Sequence, residues 1–334
     1  MLNWRFTTFA AMAVALLIAT PAVRAQTKAN FPTKPVRLVS GAFASPSDML
    51  ARTLAPRLSE RWGKPVLIEN RTGGAGTVQA ATVAHATPDG HTLLLISAQF
   101  AIGAALRPKG LPYDPIKDFA GVTQIGYSTS VLLVNPALGV KSLKEFVGLA
   151  QAKPGKLLFS SGGGGSSTHI SAERFNFAAG IKGTHVGFKG TPDAILEVLG
   201  GRVQYCLVGL GSAMPLIKDG RLLALAVSTP QRTPLLPDVP AITEFYPGFG
   251  RDGSHSIMAP AGTPLAVRTQ ISTDVARILE QPDVKTKLQD LAYNIAPTTP
   301  QEHDAIIREQ IKSFTDITRR LGLSDQSAGK GDGA

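Results

Sequence analysis

The stretch FSSGGGGSSTHISAERF, Phe159 to Phe175, decides how the rest of the chain is read. An apolar, strand-like run (KLLFSS, 156–161) meets four consecutive glycines, Gly162 to Gly165, and Ser166, Ser167, Thr168 and His169 then open a helix-like stretch. Strand, glycine turn and helix in that order form the repeating unit of an α/β protein. Similar β-rich runs recur as PVRLVS (35–40), PVLIEN (65–70), HTLLLIS (91–97), SVLLVN (130–135), VQYCLVG (203–209) and LLALAVS (222–228). Several are almost continuously apolar, which predicts strands covered on both faces in a largely parallel sheet. Between them, Leu50, Leu54 and Leu58 repeat at helical spacing, as do Phe146 with Leu149 and Ala194 with Val198. Pro56 falls inside the first of these helices, where it removes a backbone donor.

The glycine loop fits no nucleotide motif. A Walker loop needs lysine followed by serine or threonine, and GK[ST] is absent from the loop; the Gly-Ala-Gly at 74–76 lacks the third glycine of a dinucleotide fingerprint. Ser167 and His169 stand two apart at a helix start and point different ways, so a local nucleophile–base pair is not expected, although a partner from elsewhere stays open. The six histidines (85, 91, 169, 185, 255, 303) show no HExxH-type spacing and Cys206 has no companion, so no metal and no cofactor are expected. Two readings remain. One is an anion cradle built from unpaired helix N-terminal amides and hydroxyls; the other is a tight turn with a serine N-cap. SGAFASPSDML (40–50) repeats the design: Ser45 reads as N-cap, Pro46 as the first helical residue and Asp48 as the acid of the first turn, stabilising its own helix. Ligands in such sheets bind beyond the carboxyl ends of the strands, so two loops of this kind suggest two jaws around one solute.

The N-terminus, MLNWRFTTFAAMAVALLIATPAVRA, carries Arg5, an apolar run from Phe9 to Ala19, Pro21 and a small-residue end. That pattern predicts an export signal cut after Ala25; the run is too short for a membrane anchor. Losing Arg5 and Arg24 takes the formal charge from +10 to +8. The remaining positive residues are scattered, which speaks against a nucleic-acid partner. Cys206, in VQYCLVG, is expected as a buried small hydrophobe. Residues 323–334 are small and polar and are expected to be a disordered tail.

Across almost the whole remaining chain the sequence resembles the periplasmic receptors of tripartite tricarboxylate transporters, the Bug family of solute-binding proteins. The resemblance is carried by FPTKPVRLVS, PSDMLARTLAPRLSERWGKPVLIENRTGGAG, ATPDGHTLLL, LPYDPIKDFAGVT, AKPGKLLFSSGGGGSSTH with GFKGTPDAI, LGGRVQYCLVGLGSAMPLIKDGRLLALAVSTPQRTPLLPDVPAITE and MAPAGTP, in that order. It implies an α/β, two-lobe periplasmic binding protein (a Venus flytrap) with the ligand cleft between the lobes. Lobe 1 is expected over 26–128 plus 254–322 and lobe 2 over 129–253. It further implies a small carboxylate ligand, large and small membrane transporter subunits as partners, a monomeric receptor and no catalysis. Residues implied to bind ligand are Ala44, Ser45, Ser47 and Asp48 of the first loop, Gly165, Ser166, Ser167, Thr168 and His169 of the second, and Ser97 and Gln99 after HTLLLIS. Lys189 in FKGT corresponds to a family motif near the hinge side, either as a ligand contact or as a salt-bridged or solvated lysine.

Three departures from the family pattern stand out. Ala44-Ser45 replaces a common Gly-Gly, and Val208, next to Gly209, stands where an acid is frequent. Ser254-His255 replaces a common aromatic pair, which brings Gly209 and His255 into the expected cleft. Loss of the acid removes a partner for an amino group and predicts a plain carboxylate rather than an amino acid. The rival readings are an exported hydrolase using Ser166, Ser167 or His169, and a ligand sensor feeding a signalling partner.

Overall fold

The computed structural model describes residues 31–43, 45–73, 76–247, 249, 253–290 and 292–323. The expected signal segment, Ala44 and the expected tail beyond Leu323 lie outside the described residues. In chain order the first half runs β1 (Val36–Ser40), α1 (Pro46–Trp62), β2 (Val66–Asn70), α2 (Thr77–Ala84), β3 (Thr92–Ser97), α3 (Gln99–Leu106), β4 (Phe119–Ser128), β5 (Ser130–Val134), α4 (Leu143–Ala152), β6 (Leu158–Ser161) and α5 (Ser167–Ala178). The second half runs β7 (Thr184–Gly187), α6 (Thr191–Leu199), β8 (Tyr205–Gly209), α7 (Leu210–Lys218), β9 (Leu223–Val227), β10 (Gly253–Pro260), α8 (Leu265–Leu279), α9 (Pro282–Asp290), β11 (Tyr293–Ile295) and α10 (Pro300–Arg320).

The strands form two sheets, in the orders β11-β4-β10-β3-β1-β2 and β7-β6-β8-β5-β9. Both are mixed, which corrects the expectation of largely parallel sheets. β1 pairs parallel with β2 and β3, and β6 pairs parallel with β7 and β8. β10 runs antiparallel between β3 and β4, and β5 antiparallel between β8 and β9. The cause is the crossing of the chain. β4 ends at Ser128 in the first sheet and β5 starts at Ser130 in the second, with only Thr129 between, and β10 brings the chain back. The apolar run of β5 is therefore the mark of a strand covered on both faces, not of a parallel one.

Alternation along the central strands sorts side chains to two covers. Leu38, Leu93, Leu95 and Ile257 pack with Leu50, Leu54 and Leu58 of α1 and Ile271 and Val275 of α8. Val39, Leu94, Ile96 and Met258 point to the other face, against Ala80 and Val83 of α2, Phe100 of α3 and Ile307 of α10. Pro56 sits on the exposed side of α1, beside exposed Arg52, so the carbonyl it leaves without an N–H faces solvent. β4 and β10 escape notice in the sequence because Thr123, Gln124, Ser254, His255 and Ser256 interrupt their apolar pattern, although all five are buried.

Candidate functional site

β6 delivers the chain to buried Ser161, and the glycine turn then folds onto itself. The Gly163 amide donates to Ser161 Oγ (3.2 Å), Gly162 to Thr168 Oγ1 (3.0 Å) and Gly165 to His169 Nδ1 (3.0 Å). Gly163 (φ 118°) and Gly165 (φ 73°) take left-handed conformations that side chains disfavour. Ser166 is the N-cap of α5: its Oγ accepts from the His169 amide (3.3 Å) and donates to the Gly163 carbonyl (2.7 Å). Both sequence readings of the turn thus have a structural counterpart. The serine cap is present, and the Ser167 and Thr168 amides, at the first two helical positions, have no helical carbonyl to receive them.

His169 lies beneath the turn, stacked on His185 with ring centroids 3.7 Å apart. Burial, with the neighbouring His185 adding to it, pushes His169 down to about 4, so the imidazole is neutral at pH 7 and its Nδ1 accepts the Gly165 proton. Sequence reasoning missed a serine–histidine contact here, Ser161 Oγ to His185 Nε2 at 2.7 Å. Ser161 is fully buried and also bonded to the Gly163 backbone, so this contact holds the turn and offers no accessible nucleophile.

The first loop is built the same way. Ser45 caps α1, its Oγ accepting from the Asp48 amide at 3.2 Å, with Pro46 at the first helical position. Asp48 is buried, and its carboxylate receives Arg52 Nε and Asn70 Nδ2, both at 2.8 Å. Asn70 Nδ2 also reaches the Gly41 carbonyl (2.7 Å), which pins the loop to β2. Ser47 is buried in the same turn. Ser97 Oγ accepts from the Gln99 amide (3.3 Å) at the start of α3, and Ser97 stands opposite His255 in the β3–β10 register.

A cavity of about 350 Å3 lies where the two sheets meet. It is lined by Pro46, Met49 and Thr53 of α1, the crossing residues Ser128 and Thr129, the β8–α7 turn from Gly209 to Ser212, and His255, Leu288 and Tyr293. Of the expected residues it brings together Gly209 and His255, beside the helix that Ser45 caps. Ser97, Gln99 and the Gly165–His169 turn are not among its lining residues; that turn abuts α3 instead, where a Cβ on Gly165 would stand 3.3 Å from Leu106. Burial pushes His255 down to about 4 and the Tyr293 hydroxyl well above the usual phenol range. Tyr293 and Ser128 gave no signal in the sequence, because a lone tyrosine and a serine at a strand end are ordinary there.

Lys189 corrects an expectation. It follows β7, the edge strand farthest from β5 and β9, and so lies away from the crossing strands. There it lines an open groove of about 690 Å3 with Gly163, Gly164, Asp193 and Arg202, residues that follow or flank strands of the second sheet only.

The family model for tripartite tricarboxylate transporter family receptors matches residues 50–323. A UPF0065 protein of Bordetella bronchiseptica is 34% identical over 311 residues, covering 93% of this chain and 91% of its own. Among solved structures, MatC from Rhodopseudomonas palustris with bound malate is 31% identical, with a TM-score of 0.65 over 86% of this chain and 99% of that one. The periplasmic binding protein BugD is 26% identical, with a TM-score of 0.67 over 88% and 99%. The two sheets and their crossing strands are therefore the two-lobe fold of periplasmic solute-binding proteins, and the chain belongs to the tripartite tricarboxylate transporter receptor family.

Proposed function

We propose that the protein captures a small carboxylate between its two lobes and delivers it to the large and small membrane subunits of a tripartite tricarboxylate-type transporter. In this reading the chain is exported, cut after Ala25, periplasmic, monomeric and without catalytic activity. Lobe 1 comprises residues up to 128 together with 254–322, and lobe 2 comprises 129–253, a division supported by the sheet membership of β4, β5 and β10. The observation that carries the reading is the pairing of two serine-capped strand-to-helix turns, Ser45 on one sheet and Ser166 on the other. Each presents hydroxyls and helix N-terminal amides, which together suit an anion.

Ser45 and Ser47 form one jaw, and Gly165, Ser166, Ser167 and Thr168 form the other; the expected contribution of Ala44 lies outside the described residues. Asp48 and His169 hold their turns in shape through Arg52 and Asn70, and through the Gly165 amide. Gly209 and His255 line the cavity between the sheets, and Ser97 and Gln99 approach the ligand from the end of β3 in this reading. Val208, standing where the family often has an acid, offers no charge to pair with an ammonium group, which favours a ligand without one. Closure of the lobes is driven by the contacts a ligand gains only in the closed form.

Thermal unfolding against mono-, di- and tricarboxylates and amino acids tests the proposal. A ligand at about 100 times its dissociation constant stabilises the protein by roughly 2.7 kcal/mol. A shift with one carboxylate class is the expected result. Tighter binding of aspartate or glutamate than of their deaminated analogues would refute the exclusion of amines, and no shift with any carboxylate would refute the receptor reading.

A further inference from the structure

The cavity at the junction of the sheets holds polar groups that the fold does not use. His255, 6% exposed, has Nδ1 buried without a hydrogen-bond partner, and Tyr293, 7% exposed, has a buried hydroxyl that faces the His255 backbone amide and has no acceptor for its own proton. Buried polar groups of this kind are costly and point to a missing partner. The two rings sit 5.7 Å apart and both line the cavity. A third feature converges on the space. α7 begins there with Gly209 as its N-cap and no side-chain cap, so the amides of Gly211 and Ser212 have no helical acceptor. Among the described residues that line the cavity, none carries a charged side chain. The Thr53 hydroxyl is already committed to the Met49 carbonyl (2.8 Å), and Thr129 Oγ1 already receives Asn294 Nδ2 (2.8 Å).

We propose that this cavity is a specificity pocket for the far end of the ligand, taking an uncharged hydrogen-bonding group on an apolar body, so that the cargo is a monocarboxylate. This rests on the reading that the two serine-capped turns hold the ligand's one carboxylate. The Gly211 and Ser212 amides and the Tyr293 hydroxyl donate to a neutral oxygen, and His255 Nδ1 answers its proton. A second carboxylate would be desolvated against Met49, Leu50 and Leu288 with no cation to meet it, and a helix N-terminus alone does not offset that cost. At about 30 Å3 per water-sized group, the 350 Å3 of the cavity accommodate roughly a dozen non-hydrogen atoms.

The test is a calorimetric titration of the purified protein with straight-chain acids of four to eight carbons in three forms: alkanoate, ω-hydroxyalkanoate and α,ω-dicarboxylate. At the best chain length the hydroxy acid should bind most tightly and the dicarboxylate at least tenfold more weakly. Tyr293→Phe should weaken the hydroxy acid about fivefold and leave the alkanoate unchanged, since one neutral hydrogen bond is lost. A dicarboxylate that binds as tightly as the hydroxy acid overturns the monocarboxylate assignment while leaving the receptor reading intact. Equal effects of Tyr293→Phe on both monocarboxylates overturn the role of the hydroxyl. Absence of binding by every acid of the series, and by the wider carboxylate panel, overturns the receptor reading itself.

Discussion

Replacing Ser166 by aspartate separates the two roles that the glycine turn combines. The serine hydroxyl caps α5 through the His169 amide (3.3 Å) and ties down the Gly163 carbonyl (2.7 Å). Aspartate caps a helix as well as serine does, so Ser166→Asp keeps the first bond and loses only the donor of the second, costing about 1 kcal/mol. Ser166→Ala loses both and costs about 2 kcal/mol. Binding should rank them the other way. A carboxylate at Ser166 places a negative charge at a helix N-terminus worth about half a positive charge. At roughly 5 Å from a bound carboxylate, with an effective dielectric near 20, the repulsion is about 3 kcal/mol, or some 100-fold in affinity. Thermal unfolding of both variants, with calorimetric titration of the best carboxylate from the panel, gives the two rankings. If Ser166→Asp binds that carboxylate as the unsubstituted protein does, the turn is only a capped turn and the anion-cradle argument fails.

Three further outcomes follow from the same structure. His169, His255 and His303 are each held down to about 4, so between pH 6.5 and 4 the unfolded chain binds more protons than the folded one. Stability should therefore be full above pH 6.5 and fall toward pH 4, by up to about 3 kcal/mol each for His255 and His303; urea unfolding that is flat across this range would contradict their burial as neutral rings. Asp274, buried, accepts from Arg61 Nε and from Trp62 Nε1 (2.8 Å), so Asp274→Ala should cost about 2 kcal/mol in urea unfolding and leave carboxylate affinity unchanged. Cys206 is fully buried and burial pushes its thiol up to about 12, so a thiol reagent should label it only after denaturant is added; fast labelling of the native protein would show that the second sheet opens.

The sequence was most legible where one physical cause acted alone. Every strand of continuous apolar character was found, as was the helix of Leu50, Leu54 and Leu58, because burial on both faces or on one stripe leaves a plain pattern. Ser45 and Ser166 were readable as caps because capping is local in sequence. β4 and β10 were not, since polar residues interrupt their apolar pattern and the buried threonine and serine among them find partners far along the chain. Thr123 Oγ1, for example, donates to the Thr298 carbonyl (2.8 Å), and Ser254 Oγ accepts from Gln310 Nε2 (3.0 Å). The mixed pairing was hidden for the same reason: the return of β10 across the junction is a property of topology, and no residue type marks it. Tyr293 and the Gly211 and Ser212 amides of the α7 turn became candidates only through the cavity, which five segments far apart in the chain enclose. His255 was readable only as a departure from a family pattern, and the structure then supplied its neighbours.

The central claim is that a carboxylate is held between the two serine-capped turns, and a crystal structure of the protein with its best-binding carboxylate tests it most directly. The account predicts carboxylate oxygens within about 3 Å of the Ser167 and Thr168 amides, with the first loop closing from the other lobe. A carboxylate seated instead in the open groove beside Lys189 and Arg202, with both turns unoccupied, would contradict it.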